Sequence, residues 1–138
     1  GRSAYNSTKF ALEGLTDTLR VELALLGDKD IHVVLIEPGP ITTKIREKSI
    51  PPFEKWIDVK GSAQTAFYEK TLIPRLYDDS GTPDRFELPC QAVTDKLLHA
   101  LNAATPRARY YVTTPTYIMG FLKRILSTRA FDAVLKRV

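Results

Sequence analysis

The chain has 138 residues, 43% of them hydrophobic and 26% charged, which is the make-up of a folded domain with a real core and excludes a disordered or low-complexity segment. Its formal charge is +4, and the whole surplus falls in Thr116–Val138, where Lys123, Arg124, Arg129, Lys136 and Arg137 face a single acid, Asp132. No zinc-finger spacing or RNA-binding aromatic motif accompanies these residues, so nucleic acid is not an expected partner, and Lys123-Arg124 interrupts the best candidate for a membrane span.

The chain opens with Gly1 rather than Met and shows no signal-like segment, so Gly1 reads as a cut end. Residues Ser3 to Leu26 read as one amphipathic helix, with Leu12, Leu15, Leu19, Leu23 and Leu26 at helical spacing and Ser3 available as a cap. Gly14, Thr18, Val21 and Leu25 form a second stripe, which predicts burial between layers or in a subunit contact. Gly27-Asp28-Lys29-Asp30 ends the helix. Ile31-His32-Val33-Val34-Leu35-Ile36 follows as a nearly unbroken apolar run, the pattern of a parallel strand covered on both faces. Helix into buried strand predicts an α/β fold. Pro38-Gly39-Pro40 then stops the strand, and ligands of open α/β sheets bind just beyond strand carboxyl ends, so this turn is a candidate site.

From Lys44 to Leu88 the pattern breaks into short helical pieces separated by Pro51-Pro52, Gly61-Ser62 and Asp78-Asp79-Ser80-Gly81, carrying Phe53, Trp56, Phe67, Tyr68 and Tyr77. This stretch reads equally as an inserted substrate lid or as a surface hairpin whose aromatics pack on the domain. Pro89 fits a first helical position, with Val93, Leu97, Ala100 and Leu101 striping the next helix. Arg109-Tyr110-Tyr111-Val112-Thr113 reads as a second strand, and two short basic amphipathic helices, broken near Ser127-Thr128, follow it. Those helices are expected to pack on their own domain, with an anionic membrane surface as the alternative. Residues 1–138 are expected to form part of one domain: 1–43 the active-site helix, strand and turn, 44–88 the lid, 89–138 the last helix, strand and basic tail.

Tyr5 and Lys9 lie four apart on the first helix, so their side chains rise from one face. Spacing alone is weak evidence, since it arises by chance in roughly one chain in four of this length. A free tyrosine titrates near pH ~10, and using it as a base at neutrality requires about 4 kcal/mol of phenolate stabilisation. One ammonium about 4 Å away, at an effective dielectric of about 20, supplies on the order of 4 kcal/mol before its own desolvation is subtracted. The pair can therefore give a proton to a carbonyl oxygen or take one from an alcohol. Such a step needs a hydride partner, which no side chain provides and a nicotinamide does.

Tyr5-Asn6-Ser7-Thr8-Lys9, the strand Ile31 to Glu37 and the turn Pro38-Gly39-Pro40-Ile41-Thr42-Thr43 resemble, in order and separation, the active-site motif, sixth strand and nicotinamide-side turn of the short-chain dehydrogenase/reductase family. Arg109-Tyr110-Tyr111-Val112 falls at that family's last strand. The resemblance implies the C-terminal half of a doubly wound Rossmann-type domain, two parallel strands with flanking helices, whose N-terminal strands are missing. It implies that Tyr5 is the catalytic acid/base and that Lys9 binds the nicotinamide ribose and lowers the Tyr5 pKa. Pro38, Gly39 and Ile41 would line the nicotinamide, Ile41 through its backbone, and Thr43 would add a polar contact. NAD or NADP is the implied cofactor, and an alcohol or carbonyl compound of lipophilic character the implied substrate. A homodimer or homotetramer paired through the long helix is implied for the parent.

Ser3 is not the family's catalytic serine, which sits on a preceding strand, and the seven glycines form no phosphate cradle. The parent is therefore expected to be an oxidoreductase, and this segment inactive and poorly stable by itself. His32 and His99 read as structural, no metal site is expected, and Cys90 reads as a structural thiol in a reducing, cytoplasmic setting. The reading from another class is a non-catalytic interaction module, its long helix docking a partner and Phe121-Leu122-Lys123-Arg124-Ile125-Leu126 resting on a membrane surface.

Overall fold

A computed structural model describes residues 3–27 and 30–137. Its elements run α1 (Ser3–Leu25), β1 (Leu35–Glu37), α2 (Ile45–Trp56), α3 (Thr65–Phe67), a π-helical turn (Tyr68–Leu72), α4 (Ile73–Leu76), α5 (Gln91–Asn102), β2 (Arg109–Tyr111), α6 (Thr114–Ile125) and α7 (Thr128–Leu135). The two strands pair in parallel, Leu35 opposite Arg109, Ile36 opposite Tyr110 and Glu37 opposite Tyr111. Parallel strands need a crossover, which the helices from α2 to α5 provide. Two parallel strands with flanking helices make an α/β unit, a partial Rossmann-type domain.

α1 forms where the leucine spacing places it, and Gly27, at φ +76°, takes the left-handed conformation that ends it. Asp28 and Lys29 of the expected stop lie outside the described residues. Ser3 is the first helical residue rather than a cap, its carbonyl accepting the Ser7 hydroxyl at 2.9 Å. Neither stripe of α1 is buried within this chain: Leu12, Leu15, Leu19, Val21 and Leu25 are all exposed. What ties α1 to the sheet is charge. Arg109 of β2 donates to Glu13 at 2.8 Å and to Asp17 at 2.7 Å, and these carboxylates hold the guanidinium above its ordinary range.

The first strand is shorter than Ile31–Ile36 and shifted toward its end, because β2 presents only Arg109–Tyr111 to pair with. Nor is it covered on both faces, as Ile31 and His32 are exposed and Val33 to Glu37 half-buried. The second strand likewise stops at Tyr111 instead of Thr113, although the Val112 N–H still donates to the Glu37 carbonyl at 3.1 Å. Among the described residues the buried side chains are Tyr110, Val112 and Thr113, with Tyr111 between them half-buried. The Tyr110 hydroxyl accepts the Arg107 N–H at 3.1 Å and bonds His99 Nδ1 at 2.9 Å, which gives His99 a structural role.

Pro51 and Pro52 lie inside α2 instead of separating pieces. Their fixed φ is already helical, and the carbonyls they leave without donors belong to Glu47 and Lys48, both exposed. Gly61-Ser62 separates α2 from α3 as expected, whereas Asp78-Asp79-Ser80-Gly81 ends the helical part of this stretch, no helix following before Leu88. Phe53 and Tyr68 pack at 6.1 Å between ring centroids, and the Tyr77 hydroxyl donates to Glu54 at 2.8 Å, so α2 and α4 close as a hairpin on their own aromatics. α5 starts at Gln91 with Cys90 at its cap position, two residues after Pro89, whose carbonyl accepts the Ala92 N–H. No described helix is long and apolar enough to cross a membrane.

Candidate active site

Just past the carboxyl end of β1, Tyr5 and the whole turn from Pro38 to Thr43 line one pocket of about 850 Å³, within the range of small-molecule sites. The turn is fixed from two sides. On one side, the Thr42 N–H donates to the Leu88 carbonyl at 2.9 Å and the Leu88 N–H to the Pro40 carbonyl at 3.2 Å, making a parallel bridge between Ile41 and Leu88. These bonds use the residues flanking Ile41, so its own N–H and C=O turn to the opposite edge. On the other side lies Thr113, wholly buried, its Oγ1 2.8 Å from Thr116 Oγ1. Gly39, at φ +72°, rests directly on this pair, and a Cβ there would overlap both hydroxyls.

Tyr5 is 63% exposed, and Lys9 Nζ stands 5.1 Å from its ring centroid, one helical turn further on. Of the residues expected at the site, Tyr5, Pro38, Gly39, Ile41 and Thr43 come together in the pocket wall; Lys9 stands behind Tyr5 and does not line it. Thr43 Oγ1 also accepts the Ile45 N–H at 3.4 Å, at the start of α2.

The opposite wall was not visible in the sequence. Arg46 and Arg75 both donate to Asp84 Oδ2, at 2.5 and 2.7 Å, and all three line the pocket. The Arg75 hydrogen bond, joined by Arg46, holds the Asp84 carboxyl below its ordinary value. Phe86, two residues on, has φ +69°, the only non-glycine residue in the left-handed region among those described, a conformation that persists only where neighbours enforce it. Cys90 Sγ meets the Thr42 carbonyl at 3.3 Å, which ties the thiol to the turn. Under the site, burial pushes the Glu37 carboxyl up, reinforced by Glu13, and Oε1 has no hydrogen-bond partner. The aromatics of residues 44–88, Phe53, Trp56, Phe67, Tyr68 and Tyr77, do not line the pocket. Among the described residues, no group of three His, Cys, Asp or Glu side chains is placed to hold a metal ion.

Residues 1–52 match the short chain dehydrogenase family model. The chain is 35% identical over 136 residues to the uncharacterized oxidoreductase YbbO of Escherichia coli, covering 99% of this chain and 42% of that protein. It is 32% identical to the NADPH-dependent 3-dehydrocapnine reductase of Ornithobacterium rhinotracheale, covering 94% of this chain and 42% of that one. With the mitochondrial D-beta-hydroxybutyrate dehydrogenase of Mus musculus it shares 34% identity, over 80% of this chain and 33% of the relative. No solved structure matches it with significance. The chain thus spans less than half the length of these curated relatives. The family-model match over residues 1–52 and the oxidoreductase relatives over most of the chain are consistent with a segment of a short-chain dehydrogenase/reductase.

Proposed function

We propose that this segment supplies the acid/base and the nicotinamide side of an NAD(P)-dependent oxidoreductase that interconverts an alcohol with a ketone or aldehyde. The observation that carries the proposal is the shared pocket: Tyr5 of α1 and the turn Pro38–Thr43, remote in sequence, line the same cavity. The names of the relatives, an NADPH-dependent reductase and a hydroxybutyrate dehydrogenase among them, agree with it.

The residues fit a nicotinamide. Ile41 offers a backbone donor and acceptor on one edge, the complement of a carboxamide, and Pro38, Gly39 and Pro40 line the pocket beside it with apolar groups only. A nicotinamide bound there supplies the hydride acceptor or donor that the side chains lack. Tyr5 then gives the proton to the substrate oxygen, or takes it, from its place at the pocket rim. Lys9, one turn behind with its Nζ 5.1 Å from the Tyr5 ring centroid, offers donors to ribose hydroxyls. The Arg46–Asp84–Arg75 clasp holds the lid segment 44–88 as the substrate-side wall. Because none of the five aromatics of this segment lines the pocket, they do not argue for a lipophilic substrate.

Fluorescence titration with NADH and NADPH tests this reading. A longer protein carrying this segment is expected to bind one of them at micromolar concentration, and the 138-residue chain is not. Clear micromolar binding by the chain itself would refute its inactivity, and no binding by the longer protein would remove the nicotinamide reading.

A further inference from the structure

α6 turns its small and basic side toward its own domain. Gly120 lies so close to Tyr111 that a Cβ would come within 2.6 Å of the ring Cζ. Lys123 Nζ sits 3.8 Å from the Phe10 ring centroid, and Arg124 donates to the Tyr111 hydroxyl at 2.6 Å. The apolar stripe of the helix is left on the other side: Ile118, Phe121 and Ile125, at helical spacing, are 50%, 60% and 59% exposed. The expected packing of this helix on its own domain is thus made through its Gly120 side, which leaves the apolar stripe facing away.

α7 packs beside α6, half-burying Phe131 and Val134 and leaving Arg129, Lys136 and Arg137 exposed. The two helices together with Lys136 and Arg137 just past α7 carry the entire charge surplus of the chain. An outward apolar stripe accompanied by cations is the composition of a helix that lies in a membrane interface. A second copy seated on the same face would bring the same surplus against it, and like charges oppose such a contact. We propose that α6 and α7 form a docking surface for an anionic lipid bilayer. Ile118, Phe121 and Ile125 enter the headgroup–acyl boundary, and Arg129, Lys136 and Arg137 meet the headgroups. The proposal is independent of the oxidoreductase reading.

Flotation with vesicles of phosphatidylcholine and phosphatidylserine in equal parts, against phosphatidylcholine alone, tests it on the chain itself. The chain is expected to float with the anionic vesicles only, and high salt is expected to release it. Replacing Arg129, Lys136 and Arg137 together by Gln should lower partitioning about a hundredfold, at roughly fivefold per basic residue near such a surface. Phe121→Ser with Ile125→Ser should abolish flotation, whereas Leu12→Ser with Leu15→Ser, on the equally exposed face of α1, should leave it intact; circular dichroism checks that each variant keeps its helices. The proposal is overturned by equal binding to neutral vesicles, by no binding, or by equal loss in the α1 variant. Self-association that disappears with Phe121→Ser and Ile125→Ser, without vesicle binding, would assign the face to a second copy instead.

Discussion

Tyr110 holds the centre of the core with one ring and one hydroxyl. It is 4% exposed and joins the Arg107 N–H and His99 through that hydroxyl. Tyr110→Phe keeps the ring but leaves a backbone donor and an imidazole without their partner, a cost of about 1–3 kcal/mol. The expected sign is faster amide exchange at Arg107 and through β2; unchanged exchange would mean that the hydroxyl is dispensable. Asp84 gives a pH prediction. Its folded value lies below the ordinary 3.8 because Arg75, with Arg46, favours the carboxylate. The clasp therefore stabilises the fold fully above that ordinary value and loses its contribution as pH falls through the lower folded value. Asp84→Asn removes it at every pH, so amide protection across α2 should fall at neutral pH and match that of the unsubstituted chain in strong acid. Equal protection at neutral pH would show that the clasp holds nothing.

At the scale of elements, the turn after β1 is the critical piece, since it joins strand, lid and α6. Gly39→Ala would place a Cβ at positive φ, costing roughly 1–2 kcal/mol for the left-handed conformation alone, and would push it into the Thr113 and Thr116 hydroxyls. The turn should lift, and the Val112 N–H, which bonds the Glu37 carbonyl, should exchange faster; an unchanged rate would contradict the tight seat inferred for residue 39. This turn also marks how far the sequence was legible. Tyr5 and the turn Pro38 to Thr43 could be singled out because each lies in a contiguous motif, and the structure adds that they line one pocket. The Ile41–Leu88 bridge, the Asp84 clasp and the seat on Thr113 could not, because each joins residues remote in sequence and leaves no periodic trace. Strand length failed for a related reason: Ile31 to Ile36 has strand composition throughout, but the ladder is only as long as the partner that pairs with it.

The molecule as a whole spans 42% of the length of YbbO and of the 3-dehydrocapnine reductase it matches, and its exposed apolar surface is consistent with a part that packs against more protein. Both stripes of α1 are open, and among the described residues β1 pairs on one side only, an arrangement that invites association. Sedimentation of the chain should therefore show concentration-dependent self-association and heating a broad transition; a monodisperse monomer with a sharp cooperative transition would contradict this. The central claim concerns the phenol at the pocket rim, and turnover by a longer protein carrying Tyr5→Phe tests it most directly. The ring and its packing survive this substitution while the proton is lost, so kcat should fall by about 10²–10⁴-fold with nicotinamide affinity little changed. Undiminished turnover would contradict the assignment of Tyr5 as the acid/base.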